Sequence, residues 1–145
     1  MHKKRNSFVE GPISPAFIAD AIAKHQSKTD IGAHQIFLGQ VRKDMIHEKE
    51  IQAIEYTTYK DLAEDIIAEI REAIFSKYEI TCMHIHHSLG KIEAGEICFF
   101  VFTSSKHRKA ATDACEELVE RIKKEVPIWG KELFNESSYQ WKENK

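Results

Sequence analysis

Apolar side chains recur every three to four residues in three segments of the chain, a spacing that gives a helix one apolar face. The first segment follows Ser14 and Pro15, residue types that favour an N-cap and a first helical position. The third follows Ser105, which can cap a helix. It stops near Pro127, because proline disfavours the helical conformation in the residue before it. The pattern therefore predicts helices over 15–25, over 61–77 and from the Ser105 cap to about Pro127.

Strands are predicted where apolar residues alternate with polar ones or run without interruption. The run over 99–102 is aromatic and β-branched at every position, as expected for a central strand. The charged stretch 44–50 predicts an irregular, mobile loop, and 89–95 is expected to turn the chain. The predicted strands are 33–42, 51–59, 80–87, 96–104 and 138–141, with a short segment over 129–134.

The order of these elements predicts the fold class. Helices and strands follow one another without strict alternation, which favours an α+β (mixed α/β) fold with helices packed on a sheet. The chain has 145 residues, of which 42% are hydrophobic, enough for a core without disulfides. We expect a single domain over 1–145. Residues 1–12 are polar and could include one short strand, and residues 1–7 are expected to form a flexible lead-in.

Charge and cysteine content narrow the functional classes. The chain has 21 Lys and Arg against 23 Asp and Glu, a formal net charge of −2. Proteins that bind nucleic acids or anionic membranes normally carry a basic excess, so any anion site here must be a local cluster. The three cysteines are widely spaced, which suits a reducing compartment. No secretory signal or membrane-spanning run is expected, and we predict a soluble cytoplasmic protein.

Two stretches are candidates for binding an anion. Basic residues lie at 39–43, where a predicted strand ends, and at 104–109, where a strand leads into the third helix. The unpaired amides at the start of that helix, together with His107 and Arg108, could hold a phosphate. A solvated basic turn is the alternative interpretation, and from composition alone it is the better supported one.

A third candidate is Lys123, near the predicted end of the third helix. Pro127 and Trp129 suggest a fixed, partly apolar turn, against which a lysine could lose water and have its pKa lowered. The alternative is an ordinary helix-end lysine. His84 and His86 share one face of a strand, but strand packing is favoured over a metal site for them because no third ligand is evident.

Several short motifs occur in an order that resembles the catalytic (large) subunit family of molybdopterin synthases, the MoaE family. The resemblance extends over roughly 8–143 and rests on the ordered set rather than on any one piece. The matching motifs are, in chain order, Gly39-Gln40-Val41-Arg42, Ile54-Glu55-Tyr56, His87-Ser88-Leu89-Gly90, Gly95-Glu96, Thr103-Ser104-Ser105-Lys106-His107-Arg108, Lys123 and Pro127-Ile128-Trp129-Gly130-Lys131-Glu132.

The resemblance implies a sulfur-transfer enzyme of molybdenum cofactor biosynthesis. Members of the family convert cyclic pyranopterin monophosphate into molybdopterin by adding two sulfur atoms as a dithiolene. The sulfur arrives as a thiocarboxylate on the C-terminal glycine of a small ubiquitin-like partner, whose tail enters a pocket of the large subunit. The implied fold is an α/β-hammerhead type with a small additional β-rich subdomain. The implied assembly is a heterotetramer built on a homodimer, and no metal or other cofactor is implied for this subunit.

The resemblance also implies roles for individual residues. Lys123 and Lys131 are the implied catalytic residues. Both reactants are anions, which a local cationic pocket would attract, and a lysine with a shifted pKa can transfer protons. The residues implied to bind the substrate are Gln40, Val41, Arg42, His107, Arg108, Gly130 and Glu132.

One position departs from the family pattern, which usually has a second working lysine directly after the tryptophan. Here Trp129 is followed by Gly130, and Lys131 comes next. We hypothesise that Lys131 takes the place of the missing lysine. The alternatives are a reaction that depends more heavily on Lys123, or a weakened homologue.

The length of the third helix has a consequence for the assembly. His107 and Lys123 lie at opposite ends of that helix, and at 1.5 Å per residue they are about 24 Å apart. One small substrate cannot contact both ends, so two protomers must build the site if both residues belong to it. We predict a homodimer with composite sites, in which Arg42, His107 and Arg108 come from one chain and Lys123 and Lys131 from the other.

Two functions of other classes remain open from the residues alone. A non-catalytic phosphate- or nucleotide-binding module could use the same basic turn. An RNA-binding domain would also combine aromatic and basic residues, although the net charge of −2 argues against it.

Overall fold

The computed structural model describes residues 6–134 and 138–143. The predicted helices and strands occur in the predicted order, and β3 and β4 are additional. The helices are α1 (Pro15–His25), α2 (Lys60–Lys77) and α3 (Arg108–Glu125). The strands are β1 (Phe8–Glu10), β2 (Ala33–Gln40), β3 (Met45–Ile46), β4 (Lys49–Glu50), β5 (Ala53–Thr58), β6 (Cys82–Glu93), β7 (Ile97–Ser105), β8 (Ile128–Leu133) and β9 (Tyr139–Trp141).

A single large sheet organises these elements. Strands β2, β7, β6, β5, β8 and β9 lie side by side in that order, each antiparallel to its neighbours, and β1 pairs with β6 in parallel. The first half of β6 pairs with β7 and its second half with β5. The second half of β6 therefore forms a further β region with β5, β8 and β9. The predicted α+β class is confirmed, and this region corresponds to the expected additional β-rich part.

Strand β7 is covered on both faces. Phe99 and Val101 belong to the core that α2 and α3 complete. Phe100 and Phe102 form a second cluster with Ile18 of α1 on the opposite face. Because neither face of β7 meets water, the strand is apolar at every position from Ile97 to Phe102 instead of alternating, which is why it could be recognised from the sequence.

The start of α1 follows the prediction closely. The Ser14 hydroxyl accepts a hydrogen bond from the Phe17 amide at 3.1 Å, and Pro15 occupies the first helical position. The cap satisfies one of the amides that the first turn of a helix leaves without a partner.

Ser7 is held in place by contacts with two elements. Residues 1–5 lie outside the described part of the chain, but Ser7 is buried, and its amide donates to the Glu64 carboxylate at 2.8 Å. The Ser7 carbonyl accepts from the His87 amide at 2.8 Å, immediately before β1. These contacts attach the chain to α2 and β6, so the flexible lead-in predicted for 1–7 does not include Ser7.

The predicted turn over 89–95 is much shorter in the structure. Strand β6 continues to Glu93, and only Ala94 and Gly95 turn the chain. At Gly90 the backbone has a φ of +87°, a conformation that glycine adopts without steric strain. The strand changes its pairing partner at this residue without ending, so 89–93 belong to β6 and not to a turn.

The predicted irregular loop over 44–50 is a small hairpin made by β3 and β4. His47 and Glu48 form its turn with φ values of 51° and 64°. Two residues with positive φ suit a tight hairpin turn, but neither is the Gly or Asn that normally signals one. A hydrogen bond of 2.8 Å from the Ile51 amide to the Asp44 carbonyl closes the base of the hairpin. The prediction failed because the turn residues carry no sequence signal.

Helix α3 begins later than its predicted cap. Ser105 is the last residue of β7, where it pairs with Ala33, and its hydroxyl donates to the His107 carbonyl. His107 occupies the N-cap position without a capping hydrogen bond from its side chain. Pairing with β2 holds Ser105 in the strand, so the helix starts at Arg108.

The strand histidines are packed rather than arranged as metal ligands. His84 Nε2 lies 2.8 Å from His25 Nε2, and His86 stacks on the Phe100 ring with 5.9 Å between centroids. Among the described residues, no three or more His, Cys, Asp or Glu side chains are placed to hold a metal ion. In the same part of the chain, no helix is both long and apolar enough to cross a membrane.

Because His84 is buried against His25, we expect the protein to lose stability in mild acid. Burial, and then the proximity of His25, lower the pKa of His84 to about 4. In the unfolded chain the pKa of a histidine is about 6.5, so below that pH the unfolded state binds the proton first. We expect the free energy of unfolding to fall by about 2 kcal/mol between pH 6.5 and pH 4 because of this group. Urea unfolding across this range should show a weaker pH dependence for His84→Gln; an unchanged slope would contradict the assignment.

Candidate active site

The end of β2 and the end of α3 meet beside β8 and β9, and a groove lies between them. β2 ends at Gln40 and α3 ends at Glu125, and both lie next to β8 and β9. The groove has a volume of about 800 Å³, within the range of small-molecule sites. Its charged and polar lining residues are Gln40, Arg42, Asp44, His47, Lys123, Glu132, Gln140, Lys142 and Glu143. Four of the predicted site residues, Gln40, Arg42, Lys123 and Glu132, therefore share one groove within a single chain.

A smaller inner cavity of about 80 Å³ adjoins the groove, and Gln40, Lys123 and Lys142 line both. The Tyr56 hydroxyl in its wall donates to Cys98 Sγ at 3.6 Å. Cys98 is buried and lies in the wall of this cavity.

The aromatic groups of the inner cavity are neutral at pH 7. Burial raises the pKa of Tyr56 far above its ordinary range, and Cys98 and Glu132 add to this increase. Burial lowers the pKa of His87 to about 4, and the charges of Lys123 and Lys142 favour the same direction. His87 Nδ1 lies 2.8 Å from the Ser88 carbonyl, so Nδ1 carries the proton and donates it. The two lysines therefore supply positive charge next to an uncharged wall.

Lys123 lies in the last turn of α3, where the helix dipole favours a cation. Although the residue as a whole is exposed, the surrounding protein removes part of the water from its ammonium group, and this lowers its pKa. The charge of Lys142 lowers it further, whereas Cys98 and Glu120 oppose the change to a smaller extent. A lysine whose pKa is lowered exchanges its proton more readily near neutral pH.

Arg42 lies on the Lys123 side of the molecule, which corrects its predicted grouping with His107 and Arg108. β2 runs antiparallel to β7, with Ala33 beside Ser105 and the Gln40 end beside the start of β7. α3 starts after the end of β7 and returns toward that start. Arg42 and Lys123 therefore meet at one end of the sheet, while the beginning of α3 is at the other. At the groove, Arg42 Nε donates to Asp44 at 2.7 Å, which raises the pKa of Arg42.

His107 and Arg108 are exposed at the beginning of α3. The helix is continuous from Arg108 to Glu125, so the separation of about 24 Å between His107 and Lys123 stands. Neither residue lines the groove or the inner cavity that Lys123 lines.

Val41 was expected to contact the substrate, and the structure places it in the core instead. Its side chain is 1% exposed. Its amide donates to the Glu96 carbonyl at 3.0 Å, and its carbonyl accepts from the Gly95 amide at 2.8 Å. With its side chain and both backbone groups engaged, Val41 fixes the chain between Gln40 and Arg42.

Lys131 faces away from Lys123, contrary to the hypothesis that it substitutes for the missing lysine. Successive side chains of a strand point to opposite faces, so Gly130 and Glu132 face the cavities and Lys131 faces the other side. Lys131 Nζ lies 3.9 Å from Glu55 and sits over the Trp141 ring at 5.5 Å from its centroid. These contacts hold Lys131 outside the groove of its own chain.

Sequence reasoning missed Lys142, and it did not assign Tyr56 or His87 to the site. Alternation along β9, continued by the residue after it, puts Gln140 and Lys142 on one face, which the sequence could have shown. The pairing of β9 with β8, which brings that face to Gly130, depends on contacts that no local pattern encodes. Tyr56 and His87 fall inside the motifs that carry the family resemblance, but their patterns indicated only strands.

The fold and the groove together define a class: an α+β protein with a groove in which a helix-end lysine meets the edge of a sheet. A family model described as the MoaE protein matches residues 9–125. The molybdopterin synthase catalytic subunit of Bacillus subtilis is 38% identical over 120 residues, covering 83% of this chain and 75% of that protein. The catalytic subunit of Pyrococcus abyssi is 34% identical over 139 residues, covering 96% and 92%. The chain therefore belongs to the MoaE protein family.

Solved structures agree with this assignment. The crystal structure of molybdopterin synthase from Staphylococcus aureus has a TM-score of 0.81 and 31% identity, covering 98% of this chain and 99% of that one. A protein–protein complex of subunits 1 and 2 of molybdopterin-converting factor from Helicobacter pylori contains a chain with the same fold. That chain has a TM-score of 0.81 at 22% identity, covering 96% of this chain and 90% of the other.

Proposed function

We propose that this protein is the catalytic subunit of a molybdopterin synthase. It would transfer sulfur from the C-terminal thiocarboxylate of a small ubiquitin-like subunit to cyclic pyranopterin monophosphate, forming the dithiolene of molybdopterin. The observation that carries this proposal is Lys123, whose pKa is lowered where a groove of about 800 Å³ meets a neutral inner cavity. Family membership supports the same reaction.

The charges of the inner cavity suit the two reactants. Both the cyclic phosphate and the thiocarboxylate are anions, and Lys123 and Lys142 are the charged groups among the described residues that line this cavity, on a chain whose net charge is −2. A local cationic cluster concentrates anions without attracting polyanions to the whole surface. The groove outside the inner cavity carries both signs of charge, since Asp44, Glu132 and Glu143 line it together with Arg42 and the two lysines. Glu132, which is buried and accepts from Gln140 at 3.3 Å, would also accept from donors of a pterin.

Lys123 is the proposed proton-transfer group. Addition of a thiocarboxylate sulfur to the pterin and opening of the cyclic phosphate both require protons to move and negative charge to be stabilised. A lysine of lowered pKa can accept a proton when neutral and stabilise an anion when charged. The cysteines need no role as sulfur carriers, because the partner brings the sulfur.

We further propose that two copies of this chain form composite sites at the centre of a heterotetramer. His107 and Arg108, at the beginning of α3, would hold the pterin phosphate in the groove of the neighbouring chain. Gln40, Arg42, Lys123 and Glu132 would come from that neighbour. The partner tail would enter the same groove, and the Helicobacter pylori complex supports a two-subunit assembly of this kind. We place the assembly in the cytoplasm.

Reconstitution tests the proposed reaction directly. The protein is combined with a thiocarboxylated small subunit and cyclic pyranopterin monophosphate, and the dithiolene pterin is measured by mass spectrometry. We expect product with the thiocarboxylated subunit and none with its carboxylate form, which has no sulfur to transfer. Binding of phosphate compounds without any product would favour a non-catalytic module. Product formed slowly but dependent on Lys123 would identify a weakened homologue.

A further inference from the structure

Lys142, the residue directly after β9, occupies the position from which a second lysine can reach the site. The Lys142 amide donates to the Gly130 carbonyl at 2.8 Å, continuing the ladder in which Lys131 pairs with Trp141. The two residues are thus cross-strand neighbours on the face that carries Glu132 and Gln140. Side chains of such neighbours lie side by side, so Lys142 projects beside the space over Gly130.

Gly130 has no side chain, and the space around it is too narrow for one without crowding. A Cβ at that position would lie 3.0 Å from Ile54 Cγ2, 3.2 Å from Tyr56 Cε1 and 3.6 Å from Lys142 Cβ. The first two distances are tighter than ordinary van der Waals contacts. A side chain starting at 130 would therefore be crowded here, whereas one starting at 142 approaches the same cavities across the strand.

Lys142 lies close to the groups that define the site. It lines the groove and the inner cavity, as does Lys123. Both lysines also line a third depression, bounded by Pro127 and Trp129. The charge of Lys142 acts on Lys123 and on His87. Two ammonium groups of one groove that repel each other make a stronger site for an anion placed between them.

We propose that Lys142 is the second lysine of the active site, in the place for which Lys131 was considered. Its ammonium group binds the anionic reactant beside Lys123, and its positive charge lowers the proton affinity of Lys123. This inference rests on the proposed function for the identity of the anion, but not for the electrostatic coupling between the two lysines.

The coupling can be measured without any catalysis. The rate at which an amine-specific reagent modifies Lys123 is followed against pH by mass spectrometry, in the full-length protein and in Lys142→Ala. Loss of the neighbouring charge should raise the pKa of Lys123, so the pH at which labelling is half-maximal should shift upward. Lys142→Arg retains the charge and should keep the original midpoint. Lys24→Ala is the matched control, because Lys24 forms an exposed ion pair with Asp20 on α1, away from the groove.

The effect on sulfur transfer is measured in the reconstituted assay. We expect Lys142→Ala to lower kcat/KM by about 100-fold, the typical result of removing one preorganised group that stabilises an anion. Lys142→Arg should retain most of the activity. A higher KM for the small subunit alone would assign Lys142 to the thiocarboxylate, and a higher KM for the pterin alone would assign it to the cyclic phosphate.

The two measurements separate failure of this inference from failure of the proposed function. If the labelling midpoint of Lys123 and kcat/KM are both unchanged in Lys142→Ala, Lys142 is not part of the site. Loss of activity in Lys131→Ala without loss in Lys142→Ala would also overturn the proposal. If the wild-type protein forms no product but the midpoint shifts, the coupling holds and the proposed reaction is wrong.

Discussion

Replacing Lys123 with alanine is expected to lower the rate of dithiolene formation by about 10²- to 10⁴-fold, the usual contribution of a positioned proton-transfer group. The fold should be unaffected, because Lys123 is exposed at the end of α3 and alanine is the best helix former. The loss should therefore appear in kcat at saturating concentrations of both reactants, with a melting temperature close to that of the wild type.

The pH dependence of the reaction gives an independent measure of the same group. The pKa of Lys123 is lowered by burial and by Lys142. One limb of the wild-type kcat profile should therefore lie below the ordinary lysine value of about 10.4 and disappear in Lys123→Ala. Lys24→Ala is the control, because Lys24 forms an exposed ion pair on α1. Lys124→Ala is unsuitable, because Lys124 lines the adjoining depression. Wild-type kcat in Lys123→Ala would remove the central residue from the proposed mechanism.

Mixed dimers of His107→Ala and Lys123→Ala subunits should regain activity that neither parent shows. In a composite site, one of the two sites in each mixed dimer contains both variant residues and the other contains neither. Random mixing of equal amounts makes half of the dimers mixed, so about a quarter of the wild-type activity should return. The experiment is carried out by co-expressing the two variants with different affinity tags and purifying on both tags in succession, which enriches the mixed species.

Sites built within single chains would give no regain of activity in the mixed dimers. If each chain used its own His107 and its own Lys123, every site in every dimer would contain one substitution, and activity would stay at the level of the parents. The continuous helix α3, which holds these residues about 24 Å apart, is the reason for expecting sharing. Arg42→Ala paired with Lys123→Ala serves as the control, because both residues line one groove and should not complement each other.

Local patterns determined much of this protein. Period-3.6 apolar stripes located all three helices, and the uninterrupted apolar run over 99–102 located β7, because both patterns follow from backbone geometry and burial within one segment. The length of α3 already separated His107 from Lys123. The family motifs identified Lys123 as the central group, and the structure gives that residue a lowered pKa in a groove.

Only the tertiary structure decided which basic residues lie together. The antiparallel pairing of β2 with β7 moved Arg42 to the Lys123 end of the sheet, and strand alternation in β8 turned Lys131 away from it. The pairing of β9 with β8 brought Lys142 beside Gly130. Strand order and register join residues that are distant in the chain, so a periodicity read within one segment cannot supply them. The sequence therefore indicated the residue types of the candidate site, and sheet pairing brings Arg42, Lys123 and Lys142 to one groove.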